Sequence, residues 1–136
     1  MIRIFRLASF LHRKRVPLLP RFLYVLNRIL FSIALPPSVT LGRNVLFGYS
    51  GLGIVVHANC VIGNNVKISQ NVTIGGRSGH VAVPVIEDDV EIGAGACVLG
   101  PIRVGQGAKI GANAVVLNDI PPGAVAVGVP ATLLRN

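Results

Sequence analysis

The sequence predicts an all-β chain, a parallel β-helix of hexapeptide repeats preceded by a short α-helical segment. Three observations carry this reading. From Ile62 to Val116 every sixth residue is aliphatic, with His80 as the one exception. Within most repeats a second small or apolar residue follows four places after the first, as in IGNNVK, ISQNVT and IEDDVE. Aromatic residues are only 5% of the 136, and none occurs beyond Tyr49. A 3.6-residue helix would need apolar spacings of three, four and seven, and a lone strand would alternate every two. A short strand and a tight turn, repeated every six residues, satisfy both the alternation within a repeat and the return to one core. Such hexapeptide periods mark the β-helix, whose stacked coils bury a continuous narrow core of Val, Ile and Ala.

The elements follow in order. Residues 1–37 form a basic, apolar N-terminal segment and residues 38–136 the β-helix with its C-terminal tail. Arg3, Arg6, Arg13, Lys14, Arg15, Arg21 and Arg28 supply seven of the thirteen basic residues, and no acid precedes Glu87, so the net charge of +8 is largely an N-terminal property. The stretch LLPRFLYVLNRILFSIAL predicts a helix from about Pro20 to Ala34. Arg21, Asn27 and Arg28 interrupt it, and a membrane span needs roughly 20 mainly apolar residues. Two roles stay open for it: a cap that closes the end of the solenoid, or peripheral contact with an anionic membrane surface. The basic segment has no interleaved aromatic groove, which argues against nucleic acid. The extreme N-terminus lacks a small-residue cleavage pattern, so no export is expected. Pro36-Pro37 is expected to end the helix, because proline disfavours helix in the residue before it.

Coiling is expected to start near Val39, with Leu41 and Phe47 setting the first repeats. YSGLGIVV then shifts the register by three before Val56, which predicts a small bulge or loop at one corner. Cys60 lies at a core-directed position and Cys97 near a turn. Two thiols without a nearby basic cluster read as structural, in a chain expected in the reducing cytoplasm. Glu87, Asp88, Asp89 and Glu91 read as a solvated turn.

GGRSGHVAVP is the least regular part of the repeats. It would place His80 at a nominal core position, and burying an unsatisfied polar ring costs roughly 1–3 kcal/mol. The cheaper arrangement is an outward loop from Gly75 to about Val83 that carries His80 into solvent or a cleft. A neutral imidazole suits removal of a proton from an attacking hydroxyl, which makes His57 and His80 the candidate catalytic residues. No serine triad and no phosphate loop occur. A β-helix zinc site would want three histidines where only these two stand in the solenoid, so no metal is expected.

The ordered motifs GIVVHANCVIGNNVKISQNVTIGG, IGAGACVLGPIRVG and AKIGANAVVLNDIPPGAVAVGVPA resemble the serine acetyltransferase-like branch of the hexapeptide-repeat acyltransferases, over about residues 38 to 134. The resemblance implies a left-handed, three-faced β-helix, a homotrimer with active sites between subunits, and acetyl-CoA as donor. It implies that Ala94, Ala112 and Lys109 line the CoA site and that the GVPA tail, with Val129 and Pro130, closes over it. Three faces make a coil of about eighteen residues. Counting by eighteen from His57 reaches Gly75-Gly76, Gly93-Ala94, Gly111-Ala112 and Val129-Pro130, which predicts a small-residue groove at one corner with both histidines beside it.

The chain also departs from that branch. Tyr49-Ser50 stand where the family carries an aspartate-histidine pair, and Gly79 stands where it has an arginine before the loop histidine. Tyr49, Ser50, Asn59 and Ser78 are therefore the expected substrate-binding set, with a histidine as base. The short basic helix is similar to that of acetyltransferases of bacterial surface-polysaccharide synthesis. This makes O-acetylation of a surface-polysaccharide sugar or its precursor the leading expectation. Serine O-acetylation and a non-catalytic scaffold are the alternatives.

Overall fold

A computed structural model describes residues 1–135, and they form a parallel β-helix with two helices at its N-terminal end. Each coil visits three sheets in turn. Face one stacks Thr40–Leu41, Val61–Ile62, Val85–Ile86 and Arg103–Val104. Face two stacks Leu46–Phe47, Lys67–Ile68, Glu91–Ile92, Lys109–Ile110 and Val125–Val127, and face three Val55–Val56, Thr73–Gly75, Cys97–Leu99 and Val115–Val116. Neighbours on each face pair in parallel, and only the last short strand, Thr132–Leu133, turns back antiparallel against Ala126–Val127. The six-residue period is the cause. Its first aliphatic residue points inward from each strand, so Ile62, Ile68, Ile74, Ile86, Ile92 and Val98 are all buried. The residue four places on seals the turn from inside, as Val66, Val72, Val90 and Ala96 do.

Corner one, between faces one and two, is turned by Asn44, Asn65, Asp89, Gly107 and Gly123, all at positive φ. Asn and Asp tolerate this left-handed conformation better than other side-chain residues, and glycine does so without strain. Corner two, between faces two and three, uses Gly53, Asn71, Gly95 and Asn113 in the same way. Corner three, between faces three and one, carries the long excursion between Gly75 and Val85.

The N-terminal segment holds two helices where one was expected. α1 spans Ile2–Arg13 and α2 spans Leu19–Phe31. α1 makes the cap: Phe5 is buried in the core cluster, Met1 and Ile2 pack against it, and the Arg6 guanidinium donates to Leu41 O (2.9 Å) and to Gly42 O. The expected helix over 20–34 stops short, and Pro36-Pro37 are not what ends it. Ser32 enters the left-handed region (φ 55°, ψ 36°) with its N–H on Arg28 O, which frees Ile33 and Leu35 to fill the open end of the core and Ala34 to pair with Val55. No helix among the described residues is long and apolar enough to cross a membrane.

Candidate active site

The register through the coils decides which candidate residues meet. From Phe47 to Val56 the chain advances nine residues while their partners Ile68 and Ile74 advance six, so three residues are inserted, as the sequence predicts. The insertion is taken up in a tight turn, Gly48–Gly51, at corner two. Tyr49 (φ 48°, ψ 43°) and Ser50 (φ 56°, ψ 25°) are consecutive non-glycine residues in the left-handed region, and both side chains are exposed. Each costs on the order of 1–2 kcal/mol there, strain that tends to collect at functional positions.

The second insertion is larger. Ile74 and Ile86 lie twelve residues apart although they fill successive core positions, so a whole hexapeptide is looped out between Gly75 and Val85. His80 leaves the core as expected, and residues from Gly76 to Ala82 are exposed. His80 N–H closes a turn on Arg77 O (3.0 Å), and Gly100 N–H donates to Gly75 O (3.0 Å), anchoring the loop to the coil that follows it. Gly100 sits at φ +95°, where an added Cβ would come within 3.1 Å of Arg77 Cβ. The loop leans on that glycine.

This excursion overturns the predicted single column. Gly75 pairs with Leu99, not with Gly93. The Gly93 N–H donates to Ile110 O and the Gly111 N–H to Ala126 O, so Ser69, Gly93, Gly111 and Val127 stack at corner two. His57, whose N–H donates to Ile74 O, begins a different stack at corner three with Gly75. The candidates thus divide. Corner three holds His57, Asn59, Gly75, Gly76, Ser78 and His80, and corner two holds Tyr49, Ser50, Gly93, Ala94, Gly111 and Ala112. Val129 and Pro130 follow Val127 past corner two, where Val115 N–H donates to Gly128 O and Ala131 N–H to Val115 O. Lys109 projects from face two, beside Glu91. Face three separates the two groups. Close stacking of coils accounts for Gly93 itself, since a Cβ there would lie 2.6 Å from Ala112 N.

The two histidines share corner three but are held differently. Asn59 N–H donates to His57 Nδ1 (3.2 Å), so in the neutral ring Nε2 carries the proton and presents a donor to solvent. His80 instead lines a cleft of about 520 Å³ with Arg77, Pro101, Leu117, Asn118 and Asp119, all from its own loop or from later coils. His57 is not among the lining residues. Asp119 is fixed by accepting Arg103 N–H at Oδ1 (2.8 Å). Arg77, Asn118 and Asp119 are residues that sequence reasoning missed. The signal for Arg77 was present in GGRSGH, where the four-residue turn from Arg77 to His80 puts both residues on the lining of one cleft without adjacency in sequence.

The acidic run is not a free turn. Arg103 Nη1 donates to Glu87 Oε1 (2.7 Å) and Gln106 N–H to Glu87 Oε2 (2.8 Å), and these bonds hold the Glu87 carboxyl below the usual carboxylate range. Asn64 N–H donates to Asp88 Oδ1 (2.7 Å), and Lys67 pairs with Glu91 (3.2 Å). Together they staple successive coils. Cys60 is buried, and burial pushes its thiol up to about 11, away from nucleophilic use. Cys97 opens a face-three strand two residues past the corner-two turn at Gly95, near a turn as expected.

Known proteins share this architecture. The family model for the bacterial transferase hexapeptide (six repeats) matches residues 84–118, and that for the hexapeptide repeat of succinyl-transferase matches residues 38–70. A serine acetyltransferase of Bacillus subtilis is 40% identical over 127 residues, 92% of this chain and 58% of that protein. Soybean serine acetyltransferase complexed with serine superposes with a TM-score of 0.92 at 41% identity, covering 98% of this chain and 55% of the other. A serine acetyltransferase in complex with CoA gives 0.91 at 39% identity, with 98% and 55% covered. The chain therefore spans little more than half the length of these relatives. They overturn the leading expectation of a polysaccharide acceptor: relatives matching nearly the whole chain, both helices included, are serine acetyltransferases.

Proposed function

The chain belongs to the hexapeptide-repeat acyltransferases, and from that premise we propose that it transfers an acetyl group from acetyl-CoA to the hydroxyl of serine. The observation that carries this reading is the match of 98% of the chain, at about 40% identity, to serine acetyltransferases solved with serine and with CoA. It is the alternative the sequence raised, now preferred over the saccharide.

His80 acts as general base. Its ring is exposed in a cleft, while the His57 Nδ1 is occupied by Asn59 N–H. The imidazole takes the proton from the serine hydroxyl as its oxygen attacks the thioester carbonyl. The new C–O bond forms, the C–S bond breaks, and the proton passes to the departing CoA thiolate, leaving O-acetylserine and CoA. Arg77 holds the acceptor's carboxylate, doing from three residues upstream what the family's adjacent arginine would do, and a guanidinium matches a carboxylate bidentately. Ser78, Asn59, Tyr49 and Ser50 complete the acceptor side. Gly93, Ala94, Gly111 and Ala112 give the donor a smooth edge at corner two, with Lys109 beside it and Val129-Pro130 over it. Gly75 and Gly76 set the base of the loop.

The separation of the two corners by face three supports the trimer. A single chain holds His80 and the small-residue edge apart, and a threefold arrangement brings one subunit's loop against its neighbour's edge.

The test is release of free thiol from acetyl-CoA with L-serine as acceptor. Turnover is expected with serine and absent without an acceptor. Failure to transfer to serine at any concentration refutes the reading.

A further inference from the structure

The helical hairpin is turned the wrong way for a water-facing surface. In α2 the residues Phe22, Val25 and Ile29 recur at intervals of three and four, which places them on one face of the helix, and Leu18 precedes it at the N-cap. That face points outward: Phe22, Val25 and Ile29 are 61, 44 and 74% exposed, and Leu18 is 83% exposed. The opposite side buries Pro20 and Asn27, and the Asn27 Oδ1 has no hydrogen-bond partner among the described residues. Leu7 and Phe10 of α1 are half exposed as well, with the Lys14 ammonium over the Phe10 ring at 5.8 Å. α1 already closes the solenoid, so α2 is not needed as a cap.

Charge identifies what covers this face. Arg13, Lys14, Arg15, Arg21 and Arg28 flank the apolar residues and are exposed, and the hairpin contains no acid. Both ion pairs among the described residues, Lys67–Glu91 and Arg103–Glu87, lie on the solenoid. A second hairpin on the same face would set like charges against each other with no carboxylate to relieve them. A nucleic acid would leave the aliphatic stripe without an apolar partner. An anionic bilayer surface answers both features, since its headgroups attract the basic rim and its acyl region takes the apolar side chains.

We propose that α1 and α2 dock the protein in the plane of an anionic phospholipid surface, with Phe22, Val25 and Ile29 inserted and the basic side chains on the headgroups. The helices lie on the membrane and do not span it. This goes beyond the acetyl-transfer reading and stands or falls separately from it.

The experiment is flotation of the full chain with vesicles of phosphatidylcholine alone and of phosphatidylcholine mixed with phosphatidylglycerol, at low and high salt. Flotation is expected with the mixed vesicles, weakened by salt, and not with phosphatidylcholine alone. Replacing Phe22, Val25 and Ile29 together by serine should weaken binding by about tenfold or more. Replacing Arg13, Lys14 and Arg15 by glutamine should weaken it by about fivefold per charge removed. All six side chains point to solvent, and circular dichroism checks that both variants keep the fold. No binding to the mixed vesicles at low salt overturns the proposal, as does binding unchanged in the serine variant. A serine variant that alters the sedimentation coefficient while wild type ignores lipid would mark the face as a protein interface instead, and also overturns it.

Discussion

Corner two and corner three are turned by the same coils, yet one stacks Gly93 under Ala112 with no space for a Cβ while the other extends a loop exposed from Gly76 to Ala82. The regular corner supplies a rigid, smooth edge of Gly93, Ala94, Gly111 and Ala112. The broken one supplies an imidazole, a guanidinium and a cleft. Acyl transfer needs a held donor and a base, and in the proposed mechanism the solenoid's regularity provides the first and its interruption the second. In the proposed assembly face three keeps the two apart within one chain, and the neighbouring subunit completes the arrangement.

The contrast breaks most sharply at the base. His80→Ala should reduce turnover by about 10²–10⁴-fold with an unchanged melting temperature, whereas His57→Ala should leave it near the wild-type rate. The reverse order would move the base to the foot of corner three. Next in size is a steric comparison read by thermal denaturation. Gly93→Val should cost on the order of 3 kcal/mol, because its Cβ would meet backbone at 2.6 Å that cannot yield. Gly76→Val should be nearly neutral, since the nearest atom to its Cβ is Val83 Cγ1 at 3.9 Å. Equal losses would show that the loop is packed as tightly as the stack. Gly100→Ala should cost about 1–2 kcal/mol from its left-handed backbone and should lower turnover, by pushing on Arg77.

The smallest effect concerns the staple between coils. Glu87 has its carboxyl pKa lowered below 4.5 by the Arg103 and Gln106 donors. The folded state therefore binds its proton less readily than the unfolded chain does. Its contribution is fully present above pH 4.5 and is lost as pH falls through the lowered folded value. Glu87→Gln should flatten the fall of the melting temperature between neutral and acid pH by a small amount. An unchanged acid limb would remove the staple as a source of stability.

The two insertions also show which parts of the molecule the sequence could reveal. Three extra residues before Val56 break the six-residue phase, so that turn is visible in the sequence. Six extra residues after Gly75 preserve the phase, because a looped-out hexapeptide returns Ile86 to the core position that an aliphatic residue in place of His80 would have filled. Only the chemistry of His80 betrayed the loop. Counting by eighteen therefore ran past it and merged two corners into one. Hydrophobic period records which residues face the core, not how many coils have passed. Arg77 escaped notice for a related reason, since its place beside His80 comes from the Arg77–His80 turn and not from spacing. α1 was hidden because its apolar residues are interspersed with Arg3, Arg6 and Arg13, so that the segment reads as a basic arm, although Phe5 is buried in the core and Ile2 packs against it. The end of α2 was misplaced because Ser32 takes a left-handed conformation that local propensity does not favour.

The central claim is that the reaction site joins corner two of one subunit to corner three of its neighbour, and subunit complementation tests it most directly. Ala112→Trp fills the donor edge and His80→Ala removes the base, so each variant alone should be inactive. Co-assembled, a His80→Ala subunit with an intact edge meets an Ala112→Trp subunit with an intact His80, and acetyl transfer to serine should return. Mixed assemblies as inactive as both parents would contradict the account.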